Sequence, residues 1–255
     1  MTGSCHVVAL HGFLGRASDW EAVGGWIPEA SVTALDLWPL LAEPCVNDWA
    51  SMSRALDRAL ARAMGGERAG PTFVAAYSFG ARLALSSAML AGAGSPVDGC
   101  CFVSCNPGLP EGDTAARAAR RAADETWARR ILEWPEADIW REWDAQPVFA
   151  GSARPSPRRE LPASRAVLAD ALGRFSLAGQ PDFRPRLRAW PSPLLWLTGA
   201  RDDKFSALAR ELSSAGVPAS FVTCEDAGHR VPWDNPSAFA DAVRTWMAQV
   251  MEKRR

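Results

Sequence analysis

Lysine is nearly missing from this chain. Only Lys204 and Lys253 occur in 255 residues, so almost all of the 28 positive charges are arginine. With a net charge of −1 there is no global electrostatic case for nucleic acid or an anionic membrane as partner. Histidine is scarce as well: His6, His11 and His229 are the whole set, which makes the search for a general base short. No metal-ligand cluster is visible, and neither a metal nor an organic cofactor is expected. None of the six cysteines (Cys5, Cys45, Cys100, Cys101, Cys105, Cys224) forms a CxxC pair, and several lie in apolar runs, so buried free thiols are expected. No run approaches the roughly 20 apolar residues of a membrane span. The start, MTGSCHVVAL, lacks the basic and apolar regions of a signal peptide. A reduced, cytoplasmic protein is expected, as a monomer or small homo-oligomer.

What is present is a large apolar fraction. Hydrophobic residues make up 48% and charged residues 22%, a composition that folds rather than stays disordered. Apolar runs at Val7–Leu10, Val32–Leu35, Thr72–Tyr77, Cys100–Ser104, Leu194–Thr198 and Ser220–Thr223 read as buried strands. Helical patterns alternate with them at Asp19–Ile27, Asp48–Met64, Phe79–Leu90, Phe205–Ala215 and Pro236–Met251. Alternation of this kind predicts an α/β fold, a mostly parallel sheet with helices on both faces. It breaks between Pro110 and Ala189, where arginine, alanine and tryptophan dominate and no strand is evident. Residues 110–189 are therefore read as a helical cap inserted into a core made of 1–109 and 190–255; ordinary crossover helices are the alternative. There is no internal repeat.

The stretch TFVAAYSFGARLAL, residues 72–85, carries the first chemical signal. An apolar strand runs into Ala76-Tyr77-Ser78-Phe79-Gly80, and a helix follows at once. This is the layout of a nucleophile elbow, small–x–Ser–x–small, with alanine in the first small position. Small neighbours are needed because the backbone turns sharply and passes close to adjacent chain. A serine hydroxyl also needs a base. His229, in EDAGHRVPWDNP after the last strand, follows the order Ser…Asp/Glu…His of an α/β-hydrolase. The acid should leave the preceding strand, in LTGARDDKF; Asp202 is preferred for its spacing from Gly199, with Asp203 and then Asp226 behind it. The loop HGFLG after the first strand can aim the N–H of Phe13 at a reacting oxygen, with the N–H of Phe79 as its partner. Alternatively HGFLG is a plain glycine turn with His11 packed against a strand. His6 reads as structural.

Arg82 is harder to place. It lies one helical turn past Ser78, on the same face. Most esterases need no cation there. A buried ion pair would explain it, and so would an anionic substrate. The 110–189 segment adds Arg120, Arg121, Arg158, Arg159 and Arg165.

The stretches LHGFLGRASDW, YSFGARLAL, NPGL, WDAQPVFA, RRELPASR, LTGARDDKF and DAGHRVPWDNP, in this order, resemble the 2-succinyl-6-hydroxy-2,4-cyclohexadiene-1-carboxylate (SHCHC) synthase family of menaquinone biosynthesis. The resemblance covers nearly the whole chain. It implies an α/β-hydrolase fold with an inserted helical cap. It also implies a lyase that eliminates pyruvate from a cyclohexene bearing three carboxylates. Its catalytic residues would be Ser78, Asp202 and His229; its carboxylate-binding arginines Arg82, Arg120 and Arg165; its substrate-facing tryptophan Trp143; and Tyr77 would match the residue before the serine. Two departures stand out: Ala76 replaces the usual glycine, and the segment after NPGL is slightly longer, so Arg117 or Arg121 competes with Arg120 for its place. A serine hydrolase (carboxylesterase, thioesterase or C–C hydrolase) is the alternative function, and a non-enzymatic binding protein of the same fold is the second.

Overall fold

The structure is a computed structural model that describes residues 5–65, 70–152 and 160–254. Six strands form one sheet: β1 (Cys5–Leu10), β2 (Ala30–Leu35), β3 (Thr72–Tyr77), β4 (Gly99–Val103), β5 (Leu194–Gly199) and β6 (Ser220–Cys224). Every pairing is parallel, in the spatial order β2-β1-β3-β4-β5-β6. The chain steps outward from β1 to β2, then crosses back to place β3 on the other side of β1. In open parallel sheets that reversal opens a crevice at the carboxyl ends of the strands, where ligands bind. The loops after β1 and β3, which carry Phe13 and Ser78, flank this crevice.

Side chains alternate across the sheet with the period of two that a pleat imposes. Val8, Leu10, Val74, Ala76, Phe102 and Trp196 face one layer; Val7, Ala9, Phe73, Ala75, Val103 and Leu197 face the other. Helices cover both faces, so the inner strands are apolar throughout. β2 and β6 are only half-buried. The apolar runs at Val32–Leu35 and Ser220–Thr223 are thus edge strands rather than fully buried ones, because each has a neighbour on one side only.

In chain order the helices are α1 (Glu21–Trp26), α2 (Trp38–Leu41), α3 (Trp49–Met64), α4 (Phe79–Ser86), α5 (Ala88–Ala91), α6 (Thr114–Glu133), α7 (Glu136–Asp144), α8 (Arg165–Arg174), α9 (Arg184–Arg188), α10 (Asp203–Ser214), α11 (Val231–Asp234) and α12 (Pro236–Glu252). Half of them begin at a residue whose side chain caps the helix. Asp48 accepts from the N–H of Ser51 at 2.7 Å to cap α3, and Ser164 accepts from Val167 at 3.3 Å to cap α8. The single helix expected over Phe79–Leu90 is broken at Ser87, whose extended ψ of 121° ends α4 and whose hydroxyl caps α5 by accepting from Leu90. Between β4 and β5 the described residues contain α6 to α9, a 3-10 turn at Pro147–Phe149 and no strand.

Five cysteines are buried and Cys45 is exposed, all of them free. Burial pushes the Cys100 thiol up to about 12, which keeps it protonated. No helix among the described residues is long and apolar enough to cross a membrane.

Candidate active site

β3 ends at Tyr77, and Ser78 then takes φ 50° and ψ −108° before α4 begins. A positive φ at a non-glycine residue costs of the order of 1–3 kcal/mol and persists only when surrounding structure enforces it. Here the Ser78 N–H is held by the carbonyl of Val103 at 2.9 Å. A Cβ on Gly80 would stand 2.4 Å from the carbonyl oxygen of His11, so this position must lack a side chain. Ala76 is different. It is a regular strand residue, fully buried and paired with Leu10 and Phe102, and its methyl belongs to the core.

The hydroxyl of Ser78 lies 3.0 Å from Nε2 of His229, and Nδ1 of His229 lies 2.7 Å from Oδ2 of Asp202. With the neutral ring, Nδ1–H donates to the carboxylate and Nε2 accepts from the serine, an assignment that follows from the partners. Asp202 also caps α10, its other oxygen accepting from the N–H of Phe205 at 3.2 Å. The G-x-x-D spacing is a turn in which the Asp202 N–H donates to the Gly199 carbonyl at 3.0 Å. A Cβ on Gly199 would meet the carbonyl oxygens of Gly228 and Ala227 at 2.2 and 2.4 Å, so glycine is what lets the β5 turn touch the histidine loop. Ser104, after β4, donates to the His229 carbonyl at 2.8 Å. The rings of Phe205, Phe149 and Tyr77 surround the imidazole at centroid distances of 4.5, 5.5 and 5.6 Å. Of the competing acids, Asp203 is exposed in the first turn of α10, and Asp226 pairs with Arg201 at the surface.

His11 is buried and spent on the loop: it donates from Nδ1 to the Gly12 carbonyl at 2.8 Å and accepts at Nε2 from the Leu37 N–H at 3.0 Å. Phe13 is thereby set beside the elbow, its ring packed against Phe79 at 5.5 Å and Trp143 at 5.2 Å. Among the described residues neither the Phe13 nor the Phe79 N–H donates to any protein acceptor. Two free donors beside a serine hydroxyl are what a developing oxyanion requires.

These groups open on a cavity of about 580 Å³, lined by Ser78, His229, Phe13, Phe79, Arg82, Arg120 and Trp143 among others. Arg82 is 9% exposed and, among the described residues, forms no ion pair. Its Nε donates to Oε1 of Gln180 at 2.6 Å and its Nη2 to the carbonyl of Phe175 at 2.6 Å, both neutral acceptors. Burial, and then the nearby charge of Arg120, pull its pKa down to about 9, still high enough to keep it charged at neutral pH. Arg120 grips Asp124 through two contacts of 2.8 Å and remains about one-third exposed. Asp124 is buried and also accepts from Ser176 at 2.6 Å.

Two residues read as substrate-binding do not line the cavity. Tyr77 points into the core behind His229 and packs on Trp233 at 5.0 Å, because a side chain one residue before the elbow still follows the strand's alternation. Arg165 begins α8 and donates to the carbonyls of Ile131 and Trp134 at the end of α6, so its guanidinium ties two helices together. Arg117 is likewise held by the carbonyls of Leu109, Pro110, Ala178 and Gln180, and Arg121 is exposed, which leaves Arg120 as the lining residue of the three. Arg158 and Arg159 lie outside the described residues. His6 bonds Thr33 at 2.9 Å, far from this chemistry.

Sequence reasoning missed Gln180, Asn106 and Lys204. Gln180 is fully buried and spans from Arg82 to the carbonyl of Asn106 at 3.0 Å; nothing in its local sequence marks it. Asn106 and Lys204 sit inside two of the recognised stretches, NPGL and LTGARDDKF. Among the described residues no group of three His, Cys, Asp or Glu is arranged to hold a metal ion.

Comparison with known proteins bears on the fold and the family. The model of the alpha/beta hydrolase family matches residues 7–242. A 2-succinyl-6-hydroxy-2,4-cyclohexadiene-1-carboxylate synthase from Citrobacter koseri is 35% identical over 251 residues, covering 94% of this chain and 93% of the relative. A synthase of the same name from Klebsiella pneumoniae is 35% identical over 252 residues, covering 96% and 93%. Among solved structures, MenH from S. aureus superposes with a TM-score of 0.82 at 20% identity, covering 98% of this chain and 95% of that one. A thermophilic esterase from Thermogutta terrifontis superposes with a TM-score of 0.66 at 21% identity, covering 97% and 91%. The chain belongs to the alpha/beta hydrolase family and, within it, to the family of 2-succinyl-6-hydroxy-2,4-cyclohexadiene-1-carboxylate synthases.

Proposed function

We propose that the protein is a carbon–oxygen lyase of menaquinone biosynthesis. It eliminates pyruvate from 2-succinyl-5-enolpyruvyl-6-hydroxy-3-cyclohexene-1-carboxylate to give 2-succinyl-6-hydroxy-2,4-cyclohexadiene-1-carboxylate. The observation that carries this reading is Arg82, a buried cation that forms no ion pair among the described residues, one helical turn from a serine that is hydrogen-bonded to histidine. An esterase with an apolar acyl pocket has no need of such a charge, whereas a substrate with three carboxylates supplies what Arg82 lacks. Charge-assisted hydrogen bonds contribute about 1.5–3 kcal/mol each.

In the reaction, His229 draws the proton from Ser78, and the serine oxygen removes the ring proton made acidic by the succinyl ketone. The electron pair of that C–H bond moves into the ketone, whose oxygen becomes an enolate facing the N–H groups of Phe13 and Phe79. One such donor is worth about 3–4 kcal/mol of transition-state stabilisation. As the enolate collapses, a C2=C3 bond forms in the ring, the C3=C4 bond shifts to C4=C5, and the C–O bond from C5 to the enolpyruvyl group breaks. The departing enolate of pyruvate carries away the electron pair, and the proton held by the Ser78–His229 pair is returned to it. Asp202 keeps His229 in the right tautomer and stabilises its charged form. Arg82 and Arg120 hold substrate carboxylates. Trp143, packed between Phe13 and Trp127, forms an apolar wall against the ring. Residues 110–189 act as the cap that brings Arg120 and Trp143 over the serine.

The test is to supply the enolpyruvyl precursor and follow pyruvate and the conjugated diene together, with an aryl ester as control substrate. Equal amounts of both products, lowered at least a thousandfold by Ser78→Ala, are expected. Serine-dependent ester cleavage without pyruvate would overturn the reading in favour of a hydrolase.

A further inference from the structure

Three carboxylates call for three cations; the cavity lining offers Arg82 and Arg120 but not Arg165, and its third arginine, Arg201, is already paired with Asp226 at the surface. The lining contains one lysine, Lys204, from a chain that has only two. Lys204 is in the first turn of α10, directly after Asp202 and Asp203. A cation there opposes the helix dipole, whose positive end is at the N-terminus. Yet among the described residues Lys204 has no hydrogen bond and no ion pair; its ammonium lies over the ring of Phe205, 5.8 Å from the centroid. That ring in turn lies 4.5 Å from the imidazole of His229. The ammonium is thus held two aromatic contacts from the triad. The residue as a whole is exposed, but loss of water around the ammonium and then the charge of Arg120 draw its pKa down, while Asp202 acts the other way.

An ammonium that lines the same cavity as a second cation, feels its charge and sits at the wrong end of a helix is stabilised by the arrival of an anion near both. We infer that Lys204 and Arg120 together form a carboxylate subsite at the rim of the cavity, separate from the buried position of Arg82. This rests on the lyase reading for the identity of the substrate, but the subsite itself requires only a polycarboxylate. An exposed lysine discriminates less sharply than a buried arginine because water competes for the anion. Its contribution should therefore appear mainly in binding, with little change in kcat.

The experiment is calorimetric titration of the Ser78→Ala protein with propane-1,2,3-tricarboxylate and with succinate, repeated in proteins that also carry Lys204→Gln, Lys204→Arg or Lys253→Gln. Expected are a roughly tenfold loss of tricarboxylate affinity with Lys204→Gln, recovery to within about threefold with Lys204→Arg, and no effect of Lys253→Gln. With the true substrate and an intact serine, Lys204→Gln should raise KM by a similar factor and change kcat less than twofold. Unchanged tricarboxylate affinity in Lys204→Gln would overturn the inference, as would failure of the Lys204 protein itself to bind the tricarboxylate. Lysine-dependent tricarboxylate binding in a protein that releases no pyruvate would retain the subsite and reject the lyase reading.

Discussion

The two halves of the site are built in different ways. The half formed by strand ends is rigid and self-contained: Ser78, His229 and Asp202 are joined to each other, and Gly80 and Gly199 let bare backbone pass within contact distance. The half formed by the helices between β4 and β5 is made of long cations on helix surfaces, several of which are already occupied. Arg165 and Arg117 hold backbone carbonyls, Arg120 holds Asp124, and Asp144 at the end of α7 is held by Arg230 from the loop after β6. Among the described residues only Arg82, which belongs to the first half by position and faces the second, is buried with neutral partners alone. On the lyase reading, the contrast means that proton transfer is prepared in the unliganded protein, whereas charge recognition is completed by the substrate.

The strongest way to break this contrast is Arg82→Met. It should lower kcat/KM by about a hundredfold or more, the usual result of removing a buried charged partner. The thermal midpoint should move by no more than a few degrees, because relief of an uncompensated buried charge opposes the stranding of the Gln180 and Phe175 acceptors. A large loss of stability with unchanged kcat/KM would make Arg82 a structural residue.

A smaller effect should come from pH. Arg82, drawn down to about 9, and Lys204, also lowered, are both charged below their pKa values and bind anions only in that form. KM for the tricarboxylate should therefore be flat near neutrality and rise several-fold as pH is taken through about 9. KM independent of pH up to 10 would contradict the role given to them.

The smallest kinetic effect is expected from Arg165→Gln. It removes donors to the carbonyls of Ile131 and Trp134 and should cost about 1–2 kcal/mol, a few degrees in thermal midpoint. KM should change less than it does with Lys204→Gln. A KM effect larger than that of Lys204→Gln would place Arg165 back among the substrate ligands.

The same contrast explains what could be read from sequence. Strand-end groups were legible because each follows an apolar run and sits in a turn with its own chemistry: small residues around Ser78, glycine before Asp202, a short list of histidines. The order of these signals along the chain selected the fold. Tyr77 lies off the cavity because one residue separates a strand position, facing the core, from the elbow, facing the cavity. The helical half was less legible for a physical reason. In DTAARAARRAADETWARRILEW the arginines fall on nearly every face of α6, so periodicity could not say which one turns inward. Arg120 is distinguished by its partner Asp124 one turn later, a carboxylate buried enough to fix it. Gln180 was beyond sequence reasoning altogether, since its partner Arg82 is remote in the chain and the two meet only once β4 and the helices after it are in place.

The central claim is that Ser78 acts as a base and is never acylated. Intact-protein mass spectrometry on samples quenched during steady-state turnover of the enolpyruvyl substrate tests it directly. The account predicts an unmodified mass at every time point while pyruvate and diene accumulate in equal amounts. A covalent adduct on Ser78 that forms and decays at the rate of turnover would contradict it.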